Sequence, residues 1–517
     1  VPHDLPLKDA AFRRIEMKLE KLIISGGVHS DSESLRKFSQ DMSPYRIMPA
    51  LVVEPKNEED VLSTLQFARN EGLGLVCRSG GSDLSGASIG PGIILNFKKY
   101  FNQAVAVGEE TIVEPGMILA DLIKQVSAQN LMLPAVPSSS ALCALGGNVG
   151  TRSTGPRTAK YGSLDAFVMS LRFITARGEM VDTAQSLPEN LATGLQRIQQ
   201  KFLADTESRS IVEQRPYIAG GYNLKAFERY SDPRELAAHL LVGSIGTLGI
   251  VTEVRLKLLK HRPSKGTIVA HFRNYDEFAE AALRLKALDP AALEYSDAFC
   301  SRLVDGKILN LADPRMVATL VAEFDLSTEQ VYQAREMIES YDVSRLWMLN
   351  EGSSDMTDLW RDRRRIQSSL IKYCRQRKLL MPAFIDDITI HLKDLSPVIQ
   401  DLEKLMGRLG HRIAFYGHPG FGSIHARPIL DPAKGDLAEQ ITAISHEAFT
   451  IVRKYDGTLV GEHNAGRSRS VYLEMELGSA FKYLREIKKL FDPDDLLNPG
   501  SMFDTAPIYT DMDLQIP

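Results

Sequence analysis

Several things are scarce in this sequence, and each scarcity excludes something. Among 517 residues there are four cysteines, Cys77, Cys143, Cys300 and Cys374, far apart and with no Cys-x-x-Cys pair. That spacing excludes a thiolate-built iron–sulfur cluster or structural zinc site within the chain. Scattered thiols suit a reducing compartment, so a cytoplasmic location is expected, with peripheral attachment to a membrane left open. No apolar run approaches the ~18 residues that a membrane span requires. Positive charge is not in excess either: 61 Lys and Arg against 66 Asp and Glu leave a net charge of -5, which argues against a nucleic-acid partner. Val1 to Arg14 is mixed and charged, without the pattern of a secretory signal, and the missing initiator Met fits processing or trimming. There is no internal repeat and no low-complexity stretch. What is present, 44% hydrophobic and 25% charged residues, is the composition of a globular protein. It is too long for one core, since cores stop growing near ~250–300 residues.

The elements divide the chain into four stretches. Residues 1–44 read as one helix over 7–22 and a polar connector. From 45 to 262, short strands and helices intermix: strands over 47–53, 73–77, 93–97, 104–107, 111–113, 168–175, 179–181 and 250–258, helices over 58–71, 117–129 and 188–202. Lys260-His261-Arg262-Pro263 marks a boundary. From 263 to 478, strands over 267–271, 317–324, 384–392 and 412–416 alternate with helices over 276–285, 328–340 and 395–409, predicting an antiparallel sheet with helices on one face. The last stretch, 479–517, holds a helix ended by Asp492-Pro493 and Asn498-Pro499-Gly500. The class is therefore α+β.

The most informative residues are two glycine-rich tracts in the first third. One runs Arg78-Ser79-Gly80-Gly81-Ser82-Asp83-Leu84-Ser85-Gly86. The other runs from Gly146-Gly147-Asn148 through Thr151 and Gly155-Pro156-Arg157 to Tyr161-Gly162. Neither fits a phosphate-binding loop at the start of a helix. Glycine lets backbone amides approach an anion, and a run of amides makes a nest for phosphate oxygens. Two such nests can straddle a pyrophosphate, which points to a dinucleotide. A single glycine motif is more often just a tight turn. A third cluster, Gly243-Ser244-Ile245-Gly246-Thr247-Leu248-Gly249-Ile250-Val251, follows, and the pair Asp492-Pro493 and Asn498-Pro499-Gly500 stands near the C-terminus as a fourth motif.

Four motifs in this order resemble the vanillyl-alcohol oxidase/p-cresol methylhydroxylase superfamily, and within it the FAD-linked D-2-hydroxy-acid dehydrogenases acting on D-lactate, D-2-hydroxyglutarate or glycolate. The resemblance implies a two-subdomain FAD-binding domain of this type, a C-terminal substrate or cap domain, and a last segment that returns to the FAD domain. It implies that FAD is cradled by Arg78 to Ser85, by Pro137, Ser138, Gly146, Gly147, Asn148, Thr151, Tyr161 and Gly162, and by Gly249, Ile250, Val251 and Asn498. Relatives with covalent flavin often carry a His near the first tract. None occurs here between His29 and His239, so FAD is expected to be held non-covalently.

A second constellation lies in the C-terminal half: Gly417-His418-Pro419-Gly420-Phe421-Gly422-Ser423-Ile424-His425, and Gly461-Glu462-His463. The first reads as strand, glycine turn, strand, so its two imidazoles can converge. A lone histidine is more often a hydrogen-bonded core residue. Two histidines and a carboxylate make a good site for a borderline divalent ion, zinc first and manganese or iron as alternatives. The resemblance implies that His418, His425 and Glu462 are the ligands and His463 the general base. It also sets Arg363, in Leu359-Trp360-Arg361-Asp362-Arg363-Arg364, to hold the substrate carboxylate, although such an Arg-rich run can equally be a solvated helix face.

The expected chemistry follows. A metal on the hydroxyl lowers its pKa, a neutral His takes the proton, and flavin accepts the hydride. Electrons then pass to a quinone, an electron-transfer flavoprotein or an iron–sulfur protein, and a homodimer is compatible with the sequence. Phe421, Ser423, Asn464 and Ile385 stand where relatives commonly have Asp, Asn, Gly and Lys, departures that bear on the substrate more than on the reaction. Ile385-Asp386-Asp387 and Ala426-Arg427-Pro428 are similar to the branch fused to an iron–sulfur domain, so the chain reads as a stand-alone relative or one lacking that partner. Three rivals remain at this level: a metal-independent FAD oxidase of another alcohol, a flavin-binding subunit whose chemistry has decayed, and a metal hydrolase without flavin. The glycine motifs argue against the last.

Overall fold

A computed structural model describes residues 24–514 apart from 218, 311 and 312, so the helix expected over 7–22 lies outside the described residues. The first sheet grows from short aliphatic runs. Leu51–Glu54, Ile93–Asn96 and Leu75–Arg78 pair in parallel, with Gly27–His29 added antiparallel at one edge. Parallel strands need a crossover and cover on both faces, and the first two of these are buried throughout. The helix Glu58–Glu71 supplies a crossover; Asn57 caps its start by accepting from the Asp60 amide, and Gly72 ends it in the left-handed region.

The second sheet is antiparallel, in the order Ala104–Val107, Glu110–Val113, Ile250–Lys257, Val168–Ile174, Met180–Asp182. Its central strand, Ile250–Lys257, alternates between buried and more exposed positions, as a sheet with one solvated face requires. The helix Phe481–Phe491 packs Tyr483, Leu484, Ile487 and Phe491 into the same core as Phe173, Leu195 and Phe202.

One expectation is corrected here. The second glycine tract does start a helix, Leu145–Thr151, despite its poor helix formers. Tertiary contacts override propensity: the Leu145 amide donates to Met117 O (2.9 Å), the Gly146 amide to Pro115 O (2.7 Å), and Leu145 and Val149 are buried.

The C-terminal half is built on a seven-stranded antiparallel sheet, ordered Val343–Asn350, Gly266–Phe272, Ala318–Phe324, Ala292–Asp297, Arg412–His418, Ser423–Ile429, Asp387–Thr389. Side chains alternate between its faces. Leu293, Tyr295, Phe415, Ile424, Ala426 and Ile388 pack on one face with the long helices Tyr275–Lys286, Leu395–Arg408 and Leu437–Lys454. Glu294, Tyr416, His418, His425, Arg427 and Asp387 are thereby sent to the other. Helices are not confined to one face as the sequence suggested, because Ala298–Leu303, Ser354–Arg364 and Ile366–Arg377 cover part of the second face through smaller clusters of their own.

The helix Gly466–Leu477 joins the two halves by docking its start on the first glycine tract. Gly466 has φ +52°, and a Cβ there would lie 2.1 Å from Ser85 Oγ, while the Arg467 amide donates to Ser85 O at 2.8 Å. Gly466→Ala is therefore expected to lower stability by about 1–3 kcal/mol through overpacking at a left-handed position. An unchanged urea midpoint would show that Ser85 yields freely.

Candidate active site

A single cleft of about 1660 Å³, counting its open mouth, runs between the two halves. Its first wall is the glycine-rich backbone. Asp83 shapes the first tract by accepting from the Ser85 amide (2.9 Å) and the Ala87 amide (2.7 Å). The two tracts touch: Ser79 Oγ accepts from the Gly147 amide at 2.8 Å, and a Cβ on Gly80 would come within 2.7 Å of Leu142 O. Only a residue without a side chain permits that approach.

Of the residues assigned to FAD, Arg78, Ser79, Gly80, Gly81, Ser82, Asp83, Leu84, Pro137, Ser138, Gly146, Gly147, Asn148, Thr151, Gly249 and Val251 line this cleft. Ser85, Tyr161, Gly162, Ile250 and Asn498 do not. Ser85 is buried behind Asp83, and Ile250 belongs to the core of the first sheet. The Tyr161 hydroxyl donates to Asp325, which also pairs with Lys160 (2.7 Å), so this end of the tract ties the two halves together. Gly162 lines a different cavity. Asn498 works from behind: its amide nitrogen donates to Ala87 O (2.8 Å) and Ile245 O (2.7 Å), clamping two loops that line the cleft.

The opposite wall carries His418, His425, Glu462, His463, Arg363 and Arg427. The hairpin Arg412–His418/Ser423–Ile429 brings the two histidines to one face, their ring centres 5.4 Å apart. His418 Nε2 and His425 Nε2 each lie 3.7 Å from a different oxygen of Glu462. Ligands ~2.0–2.2 Å from one ion in tetrahedral array stand somewhat over 3 Å apart, so these three groups fit around a cation with little movement. His418 Nδ1 hydrogen-bonds the buried carboxylate of Glu294, which directs its other nitrogen toward Glu462. Ser423 Oγ holds Glu462 at 2.7 Å.

Electrostatics separates the imidazoles. Burial, then the charges of His418 and His463, pushes His425 well below its ordinary pKa, leaving a free lone pair. Burial alone would lower His418 as well, but Glu294 and Glu462 hold it above the ordinary value. His463 is pushed up to about 9: burial opposes this, but its Nδ1 is 2.6 Å from Asp387 Oδ1. Burial would raise Asp387 too, yet His463 and Arg469 (3.3 Å) hold it below the carboxylate range.

Arg363 is in the cleft but already engaged, 2.7 Å from Glu294 Oε2 and stacked over Tyr416. Arg364 and Gln367 line the cleft beside it. Sequence reasoning missed Glu294, which sits in no motif and in a strand, Ala292–Asp297, that is buried throughout and gives no local signal. It noted Asp386-Asp387 without assigning them a role. Asp386 pairs with Arg427 at 2.8 Å, and Asp387 orients His463.

Comparisons with known proteins match both halves of the chain. The family model for the FAD binding domain matches residues 49–184, and that for the C-terminal domain of FAD linked oxidases matches 262–502. The glycolate oxidase subunit GlcD of Bacillus subtilis is 27% identical over 503 residues, covering 94% of this chain and 97% of its own. D-2-hydroxyglutarate dehydrogenase of Stutzerimonas stutzeri is 23% identical, covering 94% and 98%. The mitochondrial cytochrome D-lactate dehydrogenase of Arabidopsis thaliana is 24% identical, covering 88% and 73%. A solved structure of alkyldihydroxyacetonephosphate synthase shares the fold, with a TM-score of 0.64 at 17% identity over 96% of this chain and 86% of that one.

Proposed function

The chain belongs to the FAD-linked oxidases and is an FAD-dependent oxidoreductase, and from that premise we propose that it oxidises a D-2-hydroxy acid to the 2-oxo acid with the help of a divalent ion. The observation that carries this reading is the continuity of the cleft, whose one wall is the two glycine tracts and whose other wall is His418, His425, Glu462 and His463. Relatives named for glycolate, D-2-hydroxyglutarate and D-lactate supply the substrate class.

FAD bound along the glycine tracts would accept the hydride from the substrate carbon. A divalent ion, zinc by its nitrogen-rich donors, would be held by His418, His425 and Glu462 and would polarise the substrate hydroxyl. His463 takes the hydroxyl proton on Nε2, since Asp387 already occupies Nδ1. Neutral imidazole is the accepting form, and a dication beside His463 opposes the charge that Asp387 favours. Arg363, with Arg364 at the same wall, receives the substrate carboxylate. The electrons leave to a quinone, an electron-transfer flavoprotein or an iron–sulfur partner. Among the described residues no helix is long and apolar enough to cross a membrane.

The test is anaerobic reduction of the yellow protein by D- and L-lactate, D- and L-2-hydroxyglutarate and glycolate in turn. We expect one acid of D configuration, or glycolate, to bleach the ~450 nm flavin band and a chelator to abolish the bleaching. Bleaching that survives chelation would remove the metal from the mechanism. A yellow protein that none of these acids reduces would remove the substrate class.

A further inference from the structure

A second cavity, about 980 Å³ counting its mouth, lies behind the metal ligands and outside the cleft. Phe421 forms part of its wall; that ring stacks on His418 with centres 5.7 Å apart and meets Tyr217 edge-on at 5.7 Å. Among the described residues lining it, four are cations, Arg152, Arg215, Lys225 and Arg229, and a single one, Asp165, is a carboxylate. Arg152 and Arg215 are buried, 5% and 8% exposed, so their charges are not simply given to solvent.

Setting Asp165 against Arg152 still leaves the other three cations, of which Arg215 has the carboxylates of Glu476 and Asp456 in its vicinity without a direct ion pair to either. Arg215 donates to two backbone carbonyls, of Gly457 (3.1 Å) and of Glu476. The carboxylate of Glu476 is spent on the Thr458 hydroxyl and the Leu459 amide (2.9 Å). Glu228 and Glu213 flank Lys225 in sequence or space, but both pair with Arg209, at 2.8 and 3.5 Å. Neither Lys225 nor Arg229 forms an ion pair with a described residue. Lys225 is held below its ordinary pKa by burial, then by the charges of Arg152 and Arg229, which is what a cation facing other cations undergoes.

We propose that this chamber is an anion-binding site, separate from the flavin cleft, for a compact dianionic oxyanion group of the phosphate type. Gathering cations in a partly buried cavity is unfavourable unless a counter-charge enters. Planar guanidinium groups and an ammonium are the side chains that recognise tetrahedral oxyanions. The cavity is larger than an inorganic ion, so an organic remainder on that group has room. The proposal does not rest on the reaction proposed above, because none of the four cations lines the cleft.

The experiment uses the FAD-loaded protein, so that the flavin's own phosphate groups already fill their nests. Orthophosphate is titrated by calorimetry at constant ionic strength, with chloride as the balancing ion, and glycerol phosphate is titrated in a parallel arm. Wild type is expected to bind orthophosphate saturably. Lys225→Met and Arg229→Ala are each expected to weaken it at least tenfold, without loss of FAD absorbance. Tighter binding of glycerol phosphate than of orthophosphate would assign the organic remainder to the chamber; equal binding would assign it the inorganic ion. No saturable heat from either probe in wild type, or equal affinity in wild type and both variants, would overturn the site. Arg229 is exposed, so its variant keeps the test readable should Lys225→Met not fold.

Discussion

His463→Ala is expected to keep its FAD and its yellow colour while its flavin-reduction rate falls by roughly 10²–10⁴-fold, the range a general base contributes. The geometry separates this residue from its neighbours. Its backbone amide donates to Asp387 Oδ2 at 2.5 Å and its Nδ1 meets Asp387 Oδ1, so the ring is fixed from one side with Nε2 left over. The side chain is 29% exposed, into the cleft, so truncating it opens space to water rather than leaving a void in a core. Asp387 keeps the His463 backbone amide and Arg469, and is not stranded by the change. Stopped-flow reduction, with flavin absorbance and metal content measured on the same sample, checks all three statements. Reduction at the wild-type rate would refute the assignment of the base, and loss of FAD together with activity would make His463 a structural residue instead.

What could be read from the sequence, and what could not, follows from the range of the forces involved. Local pattern was enough for Glu58–Glu71, where Asn57 and Gly72 punctuate the helix, and for Ile250–Lys257, where Glu253, Arg255 and Lys257 alternate with buried Thr252, Val254 and Leu256 and mark one solvated face. It was enough for the hairpin around His418 and His425, because a glycine turn between aliphatic runs leaves few alternatives. It failed at Leu145–Thr151, whose helix is imposed by Pro115 and Met117 from another part of the chain. It failed at Ser423–Ile429 beyond the motif, and at Ala292–Asp297 altogether, where strands buried on both faces carry no alternation to read. At the site, residues within glycine-flanked motifs were legible. Their supports were not, because Glu294 lies 124 positions from His418 and meets it only across adjacent strands. Tyr161 and Asn498 were placed with the cofactor by motif, whereas their hydrogen bonds join segments of the chain to one another.

Glu294 is where the second large effect is expected. Its carboxylate is fully buried, and its two oxygens act on different partners, one accepting from His418 Nδ1 and the other sitting 2.7 Å from Arg363. It therefore couples the imidazole assigned to the metal with the guanidinium assigned to the substrate. Glu294→Gln removes the charge but keeps the volume. Arg363 is left as a buried cation with a neutral partner, and breaking such a pair costs about 3–5 kcal/mol. The amide can still face His418, but it no longer dictates which imidazole nitrogen carries the proton, so metal affinity is expected to fall by about 10–100-fold, as it does when the outer hydrogen bond of a metal-bound histidine is lost. Glu294→Gln with Arg363→Gln should recover the stability, since no unpaired charge then remains, but not the affinity for a carboxylate substrate. Urea unfolding, zinc titration against a chelating indicator and the KM of the reducing acid separate these effects. Recovery of both stability and zinc affinity in the double variant would mean that Glu294 serves only to neutralise Arg363 and that His418 is oriented without it, whereas recovery of KM would remove Arg363 from the substrate carboxylate.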